Sequence, residues 1–569
     1  MIRHKLVLVA CCGLLGLGLY QPAHGQATPN ATPASNPGVM TVLVEQPPTD
    51  LDPASSYDEN SNIPMRGLYE GLVTLDGAAL DKTVPALANK IDNQDNKNTV
   101  FTFHLQQGVK FHDGTPFDAS AAKFGLTRTV KDKQGTDGIL GTFLTDPDKM
   151  IQVVDAQTLR VTFDHPQPFF LLAMAASYGT GFVSPTAVQK NAGSDDGHTW
   201  LTTHEAGTGP YMLATDAMPS TDQMGAGTPM MLKQFAGYWR GWTGSHFTQI
   251  AIKVQPESAL RRRALEQGTA DAATVLLPDD IVRLQKDNTF QFNLKPTLRV
   301  DMLIMAASYG KLANPKVRQA MTYAFDYAAY NKAELGGLGI PTNGPFPNTL
   351  LGWDNTLALP VTDLKTALSK LNDAGINLKS TLADKTNQSL QVSLTYASSQ
   401  GRGDQAGAIL QRQLEQLGIS LTIYKTVNQK TNMMEKLALK DYNNLLSADK
   451  SPDRPDFFLQ SWWPDYNSPL NYTYPLFYSK STGANGQNAG YYSDPTLDQL
   501  IEQAQKGTTP DQIIAPFKSV QKILGQDGDP AAIFMGQSPD RTVVSGTIKN
   551  QVFNALYLGT FDFYAISRG

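Results

Sequence analysis

Only two cysteines occur in the 569 residues, and they are neighbours, Cys11 and Cys12. Both fall in a segment with the layout of a secretory leader: Arg3, His4 and Lys5, then uncharged Leu6 to Tyr20, then a small-x-small site at Ala23-His24-Gly25. Cleavage there puts Gln26 at or near the mature N-terminus and leaves a chain without a thiol. Disulfides, thiolate nucleophiles and Cys-ligated zinc are then excluded together. The chain also lacks a membrane-length apolar run. The leader's uncharged stretch is fifteen residues, diluted by Gly13, Gly16 and Gly18, against the roughly 20 that a spanning helix needs. Leu8-Val9-Ala10-Cys11 has the look of a lipidation box, yet only five apolar residues separate Lys5 from Cys11, fewer than the roughly seven of a signal core. Release into the periplasm is expected, and lipoprotein anchoring is not.

Strong charge is missing as well. A net charge of −5 with no long basic run makes nucleic acid and anionic membranes poor partners. No His-Glu-x-x-His, Gly-x-Ser-x-Gly or Gly-Lys-Ser/Thr loop occurs, so no motif supports an enzyme, a resident metal or a cofactor. What is present is bulk. About 540 residues after the leader, at 41% hydrophobic composition, are too many for one core, so at least two lobes are expected.

Residues 26–39, built of Ala, Thr, Pro, Asn and Ser, read as a flexible tether. A strand at Met40–Val44 opens the ordered chain, and apolar spacing predicts a helix over Ser61–Leu72. Phe101 and Phe103 alternate with polar residues in a strand from Thr99 to Leu105. Val109–Phe111 reads as a short strand, with Asp118 capping a helix over Ala119–Thr129. A strand at Thr158–Phe163 precedes a helix over Phe169–Ala176. Thr215–Pro229, rich in Gly, Met, Ser and Thr, reads as an exposed insertion. A helix over Glu257–Gln267 ends at Gly268, its Arg261-Arg262-Arg263 run taken as a solvated face. The helix Asp404–Leu417, closed by Gly418, leads into a strand over Ile419–Ile423. Interleaved strands and helices indicate an α/β or α+β class.

Several segments, in order, resemble the family 5 solute-binding proteins of ABC transporters, which include the dipeptide- and oligopeptide-binding proteins. They are Leu51-Asp-Pro53, Gly67-Leu-Tyr-Glu-Gly-Leu-Val73, Val84-Pro-Ala-Leu-Ala88, Phe101–Leu105 with Gly108-Val-Lys-Phe-His-Asp-Gly-Thr-Pro116, Gly207-Thr-Gly-Pro-Tyr211, Tyr238-Trp239, Val317-Arg-Gln-Ala320 with Ala324-Phe-Asp326, and Trp463-Pro-Asp-Tyr-Asn-Ser-Pro469. The chain departs from the family at Leu303–Ser308, where an Asn is usual, at Tyr327 in place of Arg, and at Gln106-Gln107, where Arg is common. The resemblance implies an α/β, two-lobed periplasmic-binding-protein fold of type II, cluster C-like, with a ligand cleft between the lobes. Lobe I would comprise 40–75, 205–296 and 533–569, with a subdomain inserted at 76–204. Lobe II would run over 297–532. It further implies a peptide ligand, delivery to the permease of an ABC importer, action as a monomer, and no cofactor.

Each candidate site has a plainer alternative. His104 and His112 flank a turn beside Asp113, but His104 sits in the polar phase of its strand, and structural roles are expected. Met218, Met224, Met230 and Met231 could suit a soft metal, although adaptable packing or an exposed loop fits them better. Gly207–Tyr211 reads as a structural turn rather than a phosphate cradle, because no helix N-terminus follows. Between Phe457 and Tyr478, aromatic residues surround Asp465 as the wall of a pocket would. The expected ligand-binding set is Asp465, Trp463, Tyr466, Trp462 and Asn467. By the resemblance, Asp465 falls on the acid that anchors a peptide's ammonium; the alternative is an acid capping its own turn. A nickel chelate, an oligosaccharide, glutathione or haem are other cargoes for this fold. A hydrolase and a folding helper are the readings from other classes.

Overall fold

In a computed structural model the described residues are 38–93, 97–132, 135–376, 390–397, 402–426, 455–482, 487–557 and 559–569. The leader, its cleavage site, both cysteines and the tether up to residue 37 lie outside them.

Three larger sheets organise the chain. The first has seven strands, in spatial order Phe290–Asn293, Thr542–Ser545, Ala272–Ala273, Val39–Val44, Gln249–Val254, Met230–Gln234 and Tyr211–Leu213. Val39–Val44 lies in its middle, with parallel partners on both sides, Gln249–Val254 and Ala272–Ala273. A strand covered on both faces must be apolar almost throughout, and Val-Met-Thr-Val-Leu-Val satisfies this. The second sheet, of five strands, runs Ile419–Thr426, Leu390–Ala397, Phe457–Trp462, Pro296–Met305 and Ala532–Pro539. A four-stranded antiparallel sheet from residues 88 to 162 forms the inserted unit. Its strand Val100–Leu105 buries Phe101 and Phe103 to 1% and 0% exposure, as their alternation predicts.

The chain passes from the first sheet to the second between Asn293 and Pro296, and returns between Pro539 and Thr542. The two passages run side by side, with Pro296 opposite Pro539. Ala532–Pro539 pairs with Pro296–Met305 and is buried at every position. The return therefore comes about seven residues later than a boundary at 533 requires, because this run is a member of the second sheet.

Local differences have local causes. The first helix spans Glu59–Leu68 rather than 61–72, with Asp58 accepting the N–H groups of Asn60 (3.0 Å) and Ser61 (2.9 Å). It stops where Gly209 N–H donates to Leu68 O at 3.0 Å. A Cβ at Gly207 would lie 1.9 Å from Leu68 O, and one at Gly209 2.2 Å from Gly67 O, so only glycine permits this approach. Val109–Phe111 forms no strand, only a bridge between Lys110 and Pro116. The 215–229 segment is not simply an exposed insertion. Ser220 and Gln223 form a capping box on the helix Thr221–Gly225, which drives Met224 wholly into the first lobe's core beside Met218 and Met230. Arg261 is likewise no solvated residue: it is 1% exposed and donates to the carbonyls of Gln255, Pro256 and Val275.

Candidate ligand-binding site

The strand Phe457–Trp462 brings the aromatic segment to the edge of the second lobe. It pairs with Pro296–Met305, Val300 opposite Trp462, and then ends at Trp463-Pro464. Proline has no N–H to give, so the ladder cannot continue through it. Asn471, near the start of the helix Leu470–Phe477, fixes the loop that follows. Its Oδ1 accepts the Asp465 N–H (2.9 Å), its Nδ2 donates to Asp465 Oδ2 (3.0 Å), and its carbonyl accepts the Trp462 indole N–H (3.0 Å).

The other oxygen of Asp465 is held from the opposite lobe. Tyr57, in the loop before the first helix, donates its hydroxyl to Asp465 Oδ1 at 2.8 Å and meets Tyr178 edge-on with ring centroids 4.9 Å apart. Phe143, of the inserted unit, likewise meets Tyr466 at 5.8 Å. Asp465 is thus 7% exposed, its carboxylate held by two neutral donors, Tyr57 and Asn471, with no cation among the described residues within ion-pair distance. Burial pushes its carboxyl pKa up to about 6, and the bonds from Tyr57 and Asn471 pull against that rise without cancelling it.

Two large spaces flank the 461–466 segment. Tyr57, Phe143, Trp462, Asp465, Tyr466 and Tyr474 contribute to the wall of a cavity of about 920 Å³. Ser461 and Trp463 contribute to a more charged cleft of about 960 Å³, whose other wall includes Glu59, Glu257 and Asp280 of the first lobe. Either volume suits a small peptide. A third space, beside Glu70, is about 120 Å³ and too small for one.

Of the five expected residues, Asp465, Trp462 and Tyr466 share one cavity, and Trp463 faces the other. Asn467 differs: it is 2% exposed, lines neither space, and accepts the Leu351 N–H at 3.5 Å. The turn directs its amide into lobe II. Tyr57 and Asn471, which hold the carboxylate, were not legible. Tyr57 sits in a polar loop with no pattern of its own, and Asn471 is an unremarkable residue of a helix start.

The alternatives resolve on geometry. His104 pairs with Asp92 at 2.9 Å on the surface, while His112 is buried against Glu205 and Gly209 O; among the described residues no three such groups could hold a metal ion. Ser55, His198 and Asp52 do come together, but Ser55 Oγ and Asp52 Oδ2 both address Nδ1 of His198, each at 3.2 Å. Asp52 is moreover held bidentately by Arg128, at 2.7 Å to each oxygen. A serine relay needs serine and acid on opposite ring nitrogens.

Residues 82–484 match the model of the bacterial extracellular solute-binding proteins, family 5. The probable D,D-dipeptide-binding periplasmic protein of Escherichia coli K12 is 26% identical over 524 residues, 92% of each chain. A glutathione-binding protein of Shigella dysenteriae is 25% identical over 480 residues, 84% of this chain and 85% of the relative. In three dimensions the chain resembles a periplasmic binding protein of Helicobacter pylori solved with the peptide STSA. The TM-score is 0.75 at 19% identity, covering 93% of this chain and 98% of that one.

Proposed function

The chain belongs to the bacterial extracellular solute-binding proteins of family 5, and from that premise we propose that it captures short peptides in the periplasm and delivers them to an ABC importer. In this reading 40–75, 205–293 and the tail from 542 form one lobe, 76–204 its inserted subdomain, and 296–539 the other lobe. A peptide is enclosed where they meet. The protein acts as a monomeric carrier and performs no chemistry on its cargo. No helix among the described residues is long and apolar enough to cross a membrane, so the permease would be a separate partner.

The observation that carries the peptide reading is Asp465. A buried carboxylate partnered only by neutral donors, beside a cavity of peptide size, is a receptor for a cation. A peptide's free α-ammonium is such a cation. The printed names of the relatives, a probable D,D-dipeptide binder and a glutathione binder, agree with this class. Tyr57 and Asn471 orient the carboxylate, Trp462 and Tyr466 wall the cavity, and Trp463 lines the neighbouring cleft. A ligand closes the lobes only through tighter binding to the closed arrangement.

Native mass spectrometry of the protein released from its own periplasm tests this directly. The expected result is a retained adduct that fragments as a peptide. A retained sugar, haem or metal chelate would overturn the assignment, and cleavage of added peptides would overturn the carrier role.

A further inference from the structure

Two segments singled out in the sequence, Gly108–Pro116 and Gly207–Tyr211, meet at a joint that the ligand reading leaves unused. In the division above, the first belongs to the inserted subdomain and the second to lobe I. His112 spans the joint with its side chain 2% exposed. Its backbone N–H donates to Gly207 O at 2.8 Å. Its ring reaches two further groups at once: Nε2 lies 2.9 Å from Gly209 O, and Nδ1 lies against Glu205 Oε2. Phe235 meets the ring edge-on, with centroids 4.8 Å apart.

The proton count follows from the acceptors. A carbonyl oxygen only accepts, so Nε2 must carry a hydrogen. Glu205 is an acceptor too: its Oε2 takes the Gly207 N–H (3.0 Å) and its Oε1 the Leu213 N–H (3.2 Å). Nδ1 must then donate as well, and a ring that donates from both nitrogens is an imidazolium. Burial opposes that charge, but Glu205, through its charge and its hydrogen bond, outweighs burial with help from Gly209 O and Glu70, and the His112 pKa is raised above the ordinary 6.5. Glu70 is itself pushed up to about 7 by burial, against bonds from Trp239 and Tyr238. Its charge therefore grows as pH rises through neutrality and helps to hold the His112 proton. Tyr69, buried near Glu205, stays neutral because its pKa lies well above 10. On the His112 side of the joint, Asp113 is bonded by Thr115 and Ser184, and Lys110 is exposed.

We propose that His112 is a buried imidazolium that pins the inserted subdomain to lobe I, positioning that subdomain's share of the cavity wall, and that alkaline conditions release the pin by removing its proton. The inserted subdomain supplies Phe143, which meets Tyr466, and Tyr178, which meets Tyr57. Where these rings stand depends on how the subdomain is seated. The lobe I side of the joint has no slack, because Gly207 and Gly209 press on the end of the first helix where no Cβ fits. A neutral ring must leave either Gly209 O or Glu205 without its donor, and an enclosed acceptor without a partner is costly. Since the folded pKa is raised, the pin's contribution to stability is whole below about pH 6.5 and fades as pH rises through the folded pKa. None of this depends on the identity of the cargo.

The test has two arms on the whole protein. In the first, nitrogen-15 NMR of the histidine-labelled protein reads the charge, with His112→Gln identifying the signal. Both ring nitrogens of His112 are expected to be protonated at about pH 7, and to turn neutral only at higher pH. In Glu205→Gln the ring is expected to be neutral at the same pH, since burial then acts without its main opponent. A neutral wild-type tautomer at about pH 7, or a ring still charged in Glu205→Gln, overturns the proposal; if that variant fails to fold, the wild-type spectrum decides. In the second arm, hydrogen exchange is followed by mass spectrometry, corrected for the pH dependence of intrinsic rates, over 108–116 and 205–213. Wild type is expected to open there about tenfold more readily or better at about pH 9.5 than at about pH 7. His112→Gln is expected to open that readily at both, and the strand Phe457–Trp462 of lobe II to respond to neither change. A wild-type joint equally protected at both pH values, or a Gln variant that follows the wild-type profile, overturns the pin.

Discussion

On the proposed reading, Asp465 has two roles that respond in opposite directions to pH. Its folded pKa of about 6 lies above the ordinary carboxyl value of 3.8 because burial disfavours the charged form. In the ligand-free protein the group therefore adds stability below about pH 4, and that contribution fades as pH rises through about 6. Ligand binding has the reverse sign, since only the ionised carboxylate can oppose an ammonium. Affinity for a peptide with a free amine is expected to fall as pH drops below about 6, by up to about tenfold per unit, and to level off near neutrality. Calorimetry between about pH 4.5 and 7 checks this, because the peptide's own amine stays protonated throughout that range. A flat wild-type profile would remove Asp465 from the ligand's charge balance.

Among the elements, the helix Ser258–Glu266 separates what sequence shows from what it hides. Its existence and its end at Gly268, whose φ is +66°, follow from apolar spacing and a left-handed C-terminal glycine. The inner member of Arg261-Arg262-Arg263 was obscured by the neighbouring charges. Four residues on, buried Leu265 shares its face, so the helical period did carry a signal that the charge run masked. The structure predicts unequal costs. Arg261→Ala strands three carbonyl acceptors and should lower stability by about 2 to 4 kcal/mol, whereas Arg263→Ala, on the exposed face, should stay within about 0.5 kcal/mol. Urea denaturation monitored by circular dichroism distinguishes them, and equal effects would contradict the burial. Met224 teaches a similar lesson: a Gly- and Ser-rich stretch hid a capping box that turns one side chain fully inward.

Across the whole molecule, the two-lobed plan was legible because bulk, strand alternation and ordered family segments all demanded it. The return passage was obscured in the sequence by a buried run that continues the second sheet through Pro539. The candidate site was legible only where it is continuous in sequence. Trp462, Trp463, Asp465 and Tyr466 belong to one segment, but the groups that complete it come from far along the chain. Tyr57 is 408 residues from the carboxylate it holds. No local period can encode such meetings, since folding alone brings these residues together. The central claim is that this assembled site recognises a free α-ammonium through Asp465. Calorimetric titration of wild type and Asp465→Asn with one bound peptide, free and N-acetylated, tests it most directly. The account predicts that acetylation, or the Asn substitution, weakens binding by about 2 to 5 kcal/mol, and that the variant no longer distinguishes the two forms. Equal wild-type affinity for both forms, or a variant that binds like wild type, would contradict it.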